Sequence, residues 1–520
     1  LLDSSVGREL TFEVQRGGQV LQKTLPVGDL HAITPDEYVE FGDAVLNTLS
    51  YQQARHFNLP VRGVFVANPG YLLGSAGVPR GAVLTSFNGK PMQKIDDFVA
   101  ALEGLADGDR AIARFVTLED TRSPQMRAIR IDRRWFPSRR CKRDDAQGWW
   151  PCVELAGGGE ARAPEPASTT FAKIGEPRAD RLAPSLVSIN FDMPYSVSGI
   201  TERSYRGTGV IVDAERGYAV TDRNTVPVAL GDVRLTFAGT IEVPGRVVFV
   251  HPLHNLSIVA YDPKLIGTTP VRAAKFSTKE LVPGDEVWTV GLRADQRIAS
   301  LQSRVASVSP LALPLSRTLA FRESNLEVVQ LVNGPADFDG VIADVKGDVR
   351  ALWSSFAFEV GRELQQQNLG IPAEIVTEMV ELVRDGRPLH SLESEFQVVP
   401  LAAARRFGLG EDWIARFEQH SPTHRQVLGI GRVVAGSPAA KLLQTGDLLL
   451  TVDGQVVNRF REVERAVQKP RVKVTVWRNG AEVPLEVDTV ALTGGDIDRV
   501  VLWAGATLQA PHRAMSAQRG

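Results

Sequence analysis

Residues Arg80-Gly-Ala-Val-Leu-Thr-Ser-Phe-Asn-Gly89 match Thr445-Gly-Asp-Leu-Leu-Leu-Thr-Val-Asp-Gly454 without a gap, and nothing else in the chain constrains its fold as strongly. The same register runs on from Phe98-Val-Ala-Ala-Leu102 to Val463-Glu-Arg-Ala-Val467, two segments whose apolar residues fall on one helical face. Each copy reads as a strand, a tight turn and a helix. Asn88-Gly89 and Asp453-Gly454 suit that turn because both residue types tolerate positive φ. A second match joins the two ends of the chain. Leu10-Thr-Phe-Glu-Val14-Gln-Arg16-Gly-Gly18 aligns with Val472-Lys-Val-Thr-Val476-Trp-Arg478-Asn-Gly480, and Phe41-Gly-Asp-Ala44-Val-Leu46 falls on Trp503-Ala-Gly-Ala506-Thr-Leu508 in the same register. The N-terminal end therefore reads as the tail of one module leading into another. The C-terminal end repeats that junction and then stops.

A chain of 520 residues has room for three or four domains. Its 43% apolar and 23% charged residues are ordinary for a globular protein, and a net charge of −2 with no long basic run gives no argument for nucleic acid or anionic membrane. The densest basic stretch, Arg133-Arg134 through Arg139-Arg140-Cys-Lys-Arg143, is followed by Asp144-Asp145 and reads as a solvated hairpin. No run approaches the ~18 apolar residues of a membrane span. The chain begins at Leu1 and is expected to be a cut piece of a longer protein, so a missing leader carries no weight. Cys141 and Cys152 flank a segment containing Gly148. They can face each other across a hairpin, as a disulfide of an oxidising compartment, or stand as two independent buried thiols.

From Leu186 to Phe356 the chain is a series of short alternating runs punctuated by Gly and Pro, the pattern of a pair of β-barrels. Gly207-Thr-Gly-Val-Ile-Val followed by Gly217-Tyr-Ala-Val-Thr221-Asp-Arg-Asn224 resembles the strand–turn–strand of HtrA-type serine proteases that ends in Thr-Asn-x-His. Asn224 holds the histidine slot. His251-Pro-Leu-His-Asn255-Leu-Ser-Ile-Val is similar to that family's Asp-Pro-x-x-Asp-Leu-Ala-Val, with Asn255 in place of the aspartate. Counting back from Gly347-Asp-Val349 puts Phe338 on the nucleophilic serine. A triad needs a hydroxyl, an imidazole and a carboxylate. Phenylalanine offers no nucleophile, and an asparagine amide shuttles no proton near neutral pH. Gly284-Asp-Glu-Val-Trp-Thr-Val-Gly291 adds to the resemblance, and the repeated strand–turn–helix units resemble PDZ domains.

The resemblance implies a mainly β fold with some α, a chymotrypsin-like double barrel flanked by PDZ domains. The expected layout is a PDZ tail over 1–29, a PDZ domain over 30–134, a hairpin and Gly/Pro-rich spacer over 135–168 and a degenerate protease domain over 169–358. A helical linker over 359–388, a PDZ domain over 389–490 and the start of a further PDZ over 491–520 complete it. Within the linker, Pro372-Ala through Arg384 reads as a helix with proline in its first turn. The layout resembles tandem-duplicated HtrA-like proteases of fungi and some bacteria, in which the second protease unit is degenerate. It implies an upstream active unit in the same chain.

PDZ domains add a peptide as an extra strand and hold its carboxylate on backbone N–H groups of a glycine-containing loop. The candidate loops are Val61-Arg62-Gly63-Val64 and Leu428-Gly429-Ile430-Gly431, unless the grooves dock on neighbouring domains instead. His251 and His254 lack a third ligand for a metal and read as loop histidines. Ser354-Ser355 has no histidine base placed beside it, and Asp337 and Asp339 read as solvated loop acids. Phe338 is expected to plug the vacated pocket. The functional expectation is a protein-quality-control protease homologue whose own catalytic residues are lost, binding C-terminal or unfolded peptide segments. It needs no cofactor or metal and can form a homo-oligomer. An active protease with non-standard residues and a purely structural oligomerisation module are the alternatives. The cysteine pair favours a periplasmic or otherwise exported location over a nuclear or cytoplasmic one.

Overall fold

The computed structural model describes residues 1–513 except 201, 315–319, 362 and 496. The chain divides into two compact units, Leu1–Pro164 and Glu165–Gly520.

The first unit opens with an isolated hairpin, β1 (Glu9–Arg16) and β2 (Gln19–Pro26). Its main sheet follows: β3 (Glu37–Phe41), β4 (Ala44–Thr48), helix α1 (Tyr51–His56), β5 (Val64–Asn68), α2 (Leu72–Ser75), β6 (Ala82–Phe87), β7 (Lys90–Pro91), α3 (Ile95–Glu103), β8 (Arg110–Thr117), β9 (Gln125–Arg130), β10 (Arg139–Lys142) and β11 (Cys152–Glu154). Strand order is β11-β10-β3-β4-β5-β6-β8-β9, with β7 on β6. In β8 the inward Ala111, Ala113 and Phe115 alternate with outward Arg110, Ile112 and Arg114, so one face meets α3 and the core. Asp97 caps α3 by accepting from the N–H groups of Gln93 and Lys94.

The second unit holds α4 (Pro177–Leu182) and two closed barrels. The first contains β12 (Leu186–Asp192), β13 (Ser204–Asp213), β14 (Tyr218–Thr221), β15 (Asp232–Phe237), β16 (Ile241–Val250) and β17 (Ser257–Tyr261). The second contains β18 (Glu286–Arg293), β19 (Ile298–Pro310), β20 (Glu327–Leu331), β21 (Phe338–Ala343), β22 (Val349–Val360) and β23 (Glu363–Pro372). Helix α5 (Ala373–Asp385) leads into β24 (Leu389–Ser391), β25 (Ser394–Pro400), α6 (Leu401–Arg406), α7 (Glu411–His420), β26 (Gln426–Val433), β27 (Leu448–Val452), β28 (Gln455–Val456), α8 (Phe460–Ala466), β29 (Arg471–Arg478), β30 (Ala481–Asp488) and β31 (Val490–Leu492). A last hairpin joins β32 (Val501–Trp503) to β33 (Ala506–Leu508).

The two matching segments fold alike. Asn88 and Asp453 have φ of 48° and 49°, each followed by a positive-φ glycine, and each turn closes a two-residue hairpin. Glu462 caps α8 as Asp97 caps α3, accepting from the N–H groups of Asn458 and Arg459. The second barrel runs past the expected boundary at 358. Glu363-Leu-Gln-Gln-Gln-Asn368 pairs with the end of β22 on a projecting hairpin exposed over most of its length, so its polar residues hide the strand pattern. The Gly/Pro-rich spacer has no regular structure but is tied by backbone bonds from Gly158 to Leu105 and from Arg162 to Asp107. Cys141 and Cys152 form a disulfide across the β10–β11 pair. Arg139 and Arg140, expected to be solvated, instead reach Glu40 and both Glu37 and Asp96.

Candidate functional site

Asp222, Arg223 and Asn224 form the turn after β14, and Asn255 lies just before β17; Ser355 lies on β22 of the other barrel. Asp222 shapes the turn by accepting from both the N–H and the hydroxyl of Thr225, each at 2.8 Å. Asn224 and Asn255 then converge. The Nδ2 of Asn224 donates to the carbonyl oxygen of Ser355 at 2.8 Å, and the Nδ2 of Asn255 donates to the same oxygen at 2.7 Å. Asn255 Oδ1 accepts from the Arg223 N–H at 2.9 Å, which fixes the orientation of its amide. Asn224 also reaches Ser355 Oγ at 3.1 Å, and the Ser355 N–H returns a bond to Asp222 Oδ2 at 2.9 Å. Two amides therefore saturate one carbonyl. This joint links the two barrels through neutral amides.

Phe338 stands apart from that pair. It is buried at the start of β21, its carbonyl accepts from Asn368, and its ring lies 5.6 Å from the Arg293 guanidinium. A cleft of about 330 Å³ is lined by Arg223, Asn224, Asn255, Phe321 and Phe356, and Phe338 is not among its lining residues. The plug expected of Phe338 therefore fills its own position, not this cleft. Burying the ring contributes about 2 kcal/mol.

Of the two neighbouring acids, only Asp339 departs from expectation. Asp337 is exposed and pairs with Arg293. Asp339 is not a solvated loop acid: it accepts from the N–H of Thr208 at 3.0 Å and from its hydroxyl at 3.1 Å. Burial, then the charge of Asp222, pushes its carboxyl up to about 7, and burial pushes Asp222 up as well. This contact also explains the Gly207-Thr-Gly motif. A Cβ at Gly207 would lie 2.0 Å from Thr225 Oγ1 and 2.7 Å from Asp339 Oδ2.

His251 and His254 are buried rather than lying in an open loop. Nδ1 of His251 accepts from the N–H groups of Leu253 and His254, and burial, then the adjacent His254, holds it neutral. His254 bridges Glu323 at 2.8 Å and Glu464 of α8 at 3.0 Å. Burial opposes its charge, but Glu464 and Glu323 outweigh burial and raise it to about 10. Burial also opposes the charge of Glu464, yet His254 and Arg461 outweigh it and pull that carboxyl well below its usual range. No group of three or more metal-ligating side chains suited to a metal ion occurs among the described residues.

The expected peptide loops do not border free strand edges. Val61-Arg62-Gly63 is the bend before β5, with Gly63 at a φ of 112°, and Val64 opens that strand, which is paired on one side to β4 and on the other to β6. Leu428, Gly429 and Ile430 lie inside β26, between β25 and β27, and Gly431 falls at the bulge opposite Glu395 and Phe396. The free edge in this region belongs to β25. Facing it, the side-chain amide of Asn325 donates to the Ser394 carbonyl and accepts from the Phe396 N–H, both at 2.8 Å. Between β25 and α8 remains a cavity of about 30 Å³ lined by residues including Leu392, Phe396, Val463, His254 and Asn325. Sequence patterns gave no sign of this, since Asn325 and His254 come from the barrels.

A PDZ-like domain family model matches residues 32–108, and a PDZ domain model matches residues 429–478. The whole chain is 32% identical to 52% of the "Pro-apoptotic serine protease nma111" of Aspergillus oryzae, and 32% identical to 53% of the "PDZ domain-containing protein C23G3.12c" of Schizosaccharomyces pombe. The chain is thus similar to serine-protease and PDZ proteins and carries two segments that match PDZ models. It spans about half the length of the curated relatives it matches. Among solved structures, an "HtrA-type protease AlgWS227A with tripeptide" overlays 61% of this chain and 97% of its own, at 19% identity and a TM-score of 0.43. No helix among the described residues is long and apolar enough to cross a membrane.

Proposed function

We propose that this chain is an HtrA-like serine-protease homologue for protein quality control whose barrel pair has lost its triad and acts as a scaffold for PDZ peptide recognition. The observation that carries the reading is the pair of asparagine amides on the Ser355 carbonyl; the register counted back from Gly347-Asp-Val349, which puts Phe338 in the nucleophile slot, supports it. Hydrolysis requires a base that accepts a proton from a hydroxyl, and the hydroxyl of Ser355 faces an amide donor instead. Incubating the full chain with casein and a fluorophosphonate probe tests this. No cleavage and no labelling are expected; labelling at a serine would overturn the reading.

Peptide recognition belongs at the edge of β25. Ser394 and Phe396 present there the carbonyl and N–H that an added strand engages, and the Asn325 amide holds their place. Asn325 has φ of 55°, so Asn325→Gly keeps the backbone and removes the amide. Titration with peptides ending in an apolar residue should show several-fold tighter binding to that variant. Equal affinity would place binding elsewhere.

An upstream active unit of the same chain, and assembly into a homo-oligomer, complete the proposal. The Cys141–Cys152 disulfide supports an exported location.

A further inference from the structure

The first PDZ domain differs from the second in what lies on the strand edge beside its groove helix. β4 is paired on one side to β5, and its other edge is taken by β3, which runs antiparallel to it with Val39 opposite Leu46 and Phe41 opposite Ala44. Helix α3 packs on both β3 and β4. An added peptide strand in a PDZ domain lies in this place and direction, between strand edge and helix.

The side chains of β3 behave as a ligand's would. Val39 and Phe41 alternate inward and are completely buried, with the Phe41 ring 5.9 Å from Phe98 of α3. Tyr38 and Glu40 point the other way, to Trp150 and Arg139. Arg140 bonds both Glu37 of β3 and Asp96 of α3, closing strand and helix together. Where a free peptide would end in a carboxylate, the chain continues through Gly42-Asp43, with φ of 57° and 68°, the geometry of a two-residue hairpin turn. The Gly42 carbonyl accepts from the N–H groups of Tyr71 and Leu72. A Cβ there would lie 2.4 Å from the Leu72 side chain. The far edge of β3 is also consumed, by β10, which the disulfide ties to β11.

The hairpin is made by its own sequence. At Val501–Leu508 the same arrangement recurs, with Trp503 opposite Ala506 and positive φ at Ala504 and Gly505. There Val501 and Trp503, the counterparts of Val39 and Phe41, are exposed. Burial in a groove is therefore not what forms the turn. The strand arrives at its groove already tethered.

We propose that the first PDZ domain is liganded by its own strand Glu37–Phe41, with Val39 and Phe41 as the two anchor side chains, and takes no free peptide end. This rests on the reading of residues 32–108 as a PDZ domain, and it leaves peptide capture to the second one.

Two measurements on the full chain test it. In hydrogen exchange, amides of residues 37–41 should exchange within about tenfold of those in β4 and β5; exchange as fast as the β1–β2 hairpin would overturn the proposal. The second uses a benzophenone-labelled hexapeptide of the sequence of residues 36–41, with a free C-terminus. It should leave residues 44–48 and 95–103 of the native chain unlabelled, and label them at least tenfold more in Val39→Asp. Labelling of those segments in the native chain would overturn the proposal, as would a folded Val39→Asp chain that refuses the peptide. If Val39→Asp does not fold, hydrogen exchange of the native chain decides alone. Peptide binding at β25 is read separately, so failure of the second groove leaves this outcome untouched.

Discussion

Replacing His254 by glutamine removes a buried imidazolium while keeping its bulk, and the geometry around it sets the size of the effect. Glu323 is 1% exposed and Glu464 15%, and both bond the ring. Breaking a buried ion pair by removing one partner costs about 3–5 kcal/mol, because the surviving charges are left desolvated. Arg461 still pairs with Glu464, so the lower end applies to that acid, and Glu323, whose carboxyl burial already pushes up, keeps the Asn255 N–H. The pH dependence discriminates between charge and packing. The folded-state value of His254, about 10, lies above the 6.5 of an unfolded imidazole. Its contribution is therefore fully present below pH 6.5 and fades as pH rises through 10, by up to about 1.4 kcal/mol per unit. Urea unfolding of the native and His254→Gln chains at pH 6, 7.5 and 9, followed by tryptophan fluorescence, reads the difference. The gap should be about 3–5 kcal/mol at pH 6 and narrow steadily above it. A gap that stays constant from pH 6 to 9 would refute the charged-bridge reasoning and leave only packing.

Three further outcomes are expected. Phe338→Ser should lose about 3 kcal/mol of stability through the buried ring and gain no hydrolysis of casein, because no imidazole stands beside it; unchanged thermal stability would remove its packing role. Asp339→Asn should gain stability relative to the native chain between pH 5 and 8, since a carboxyl raised to about 7 stabilises below its unfolded value of 3.8 and loses that contribution as pH rises through 7; paired thermal scans at the two pH values check the sign. Gly207→Ala should destabilise the barrels by about 1–3 kcal/mol through its clash with Thr225 and Asp339, and unchanged melting would show that the turn yields freely.

What the sequence revealed and what it hid follow from how local each cause is. Asn88-Gly89 and Asp453-Gly454 were legible because a two-residue turn is dictated by the residues that make it. Leu428-Gly429-Ile430 lies in a strand rather than the expected loop, because a glycine in a strand looks the same in sequence as a glycine in a loop. Gly429 has the Val399 side chain 3.0 Å from where a Cβ would sit, so it makes room for a neighbouring strand rather than a carboxylate. His254 and Glu464 are distant in sequence, as are Asn325 and Phe396, and no periodicity connects such pairs. Ser355 read as an unsupported serine, and only pairing of the barrels shows that its carbonyl receives both amides and its hydroxyl that of Asn224.

The joint at Ser355 also bears on whether such a chain could recover chemistry. On the reading proposed above, restoring a triad means replacing Asn224, Asn255 and Phe338 together. The first two changes each withdraw a donor from the carbonyl that links the barrels, and the third empties a filled position. Every single step thus weakens the scaffold before any hydrolysis appears. On the proposed reading, loss of the triad works as a ratchet: the residues that replace it add cohesion, and the way back runs uphill.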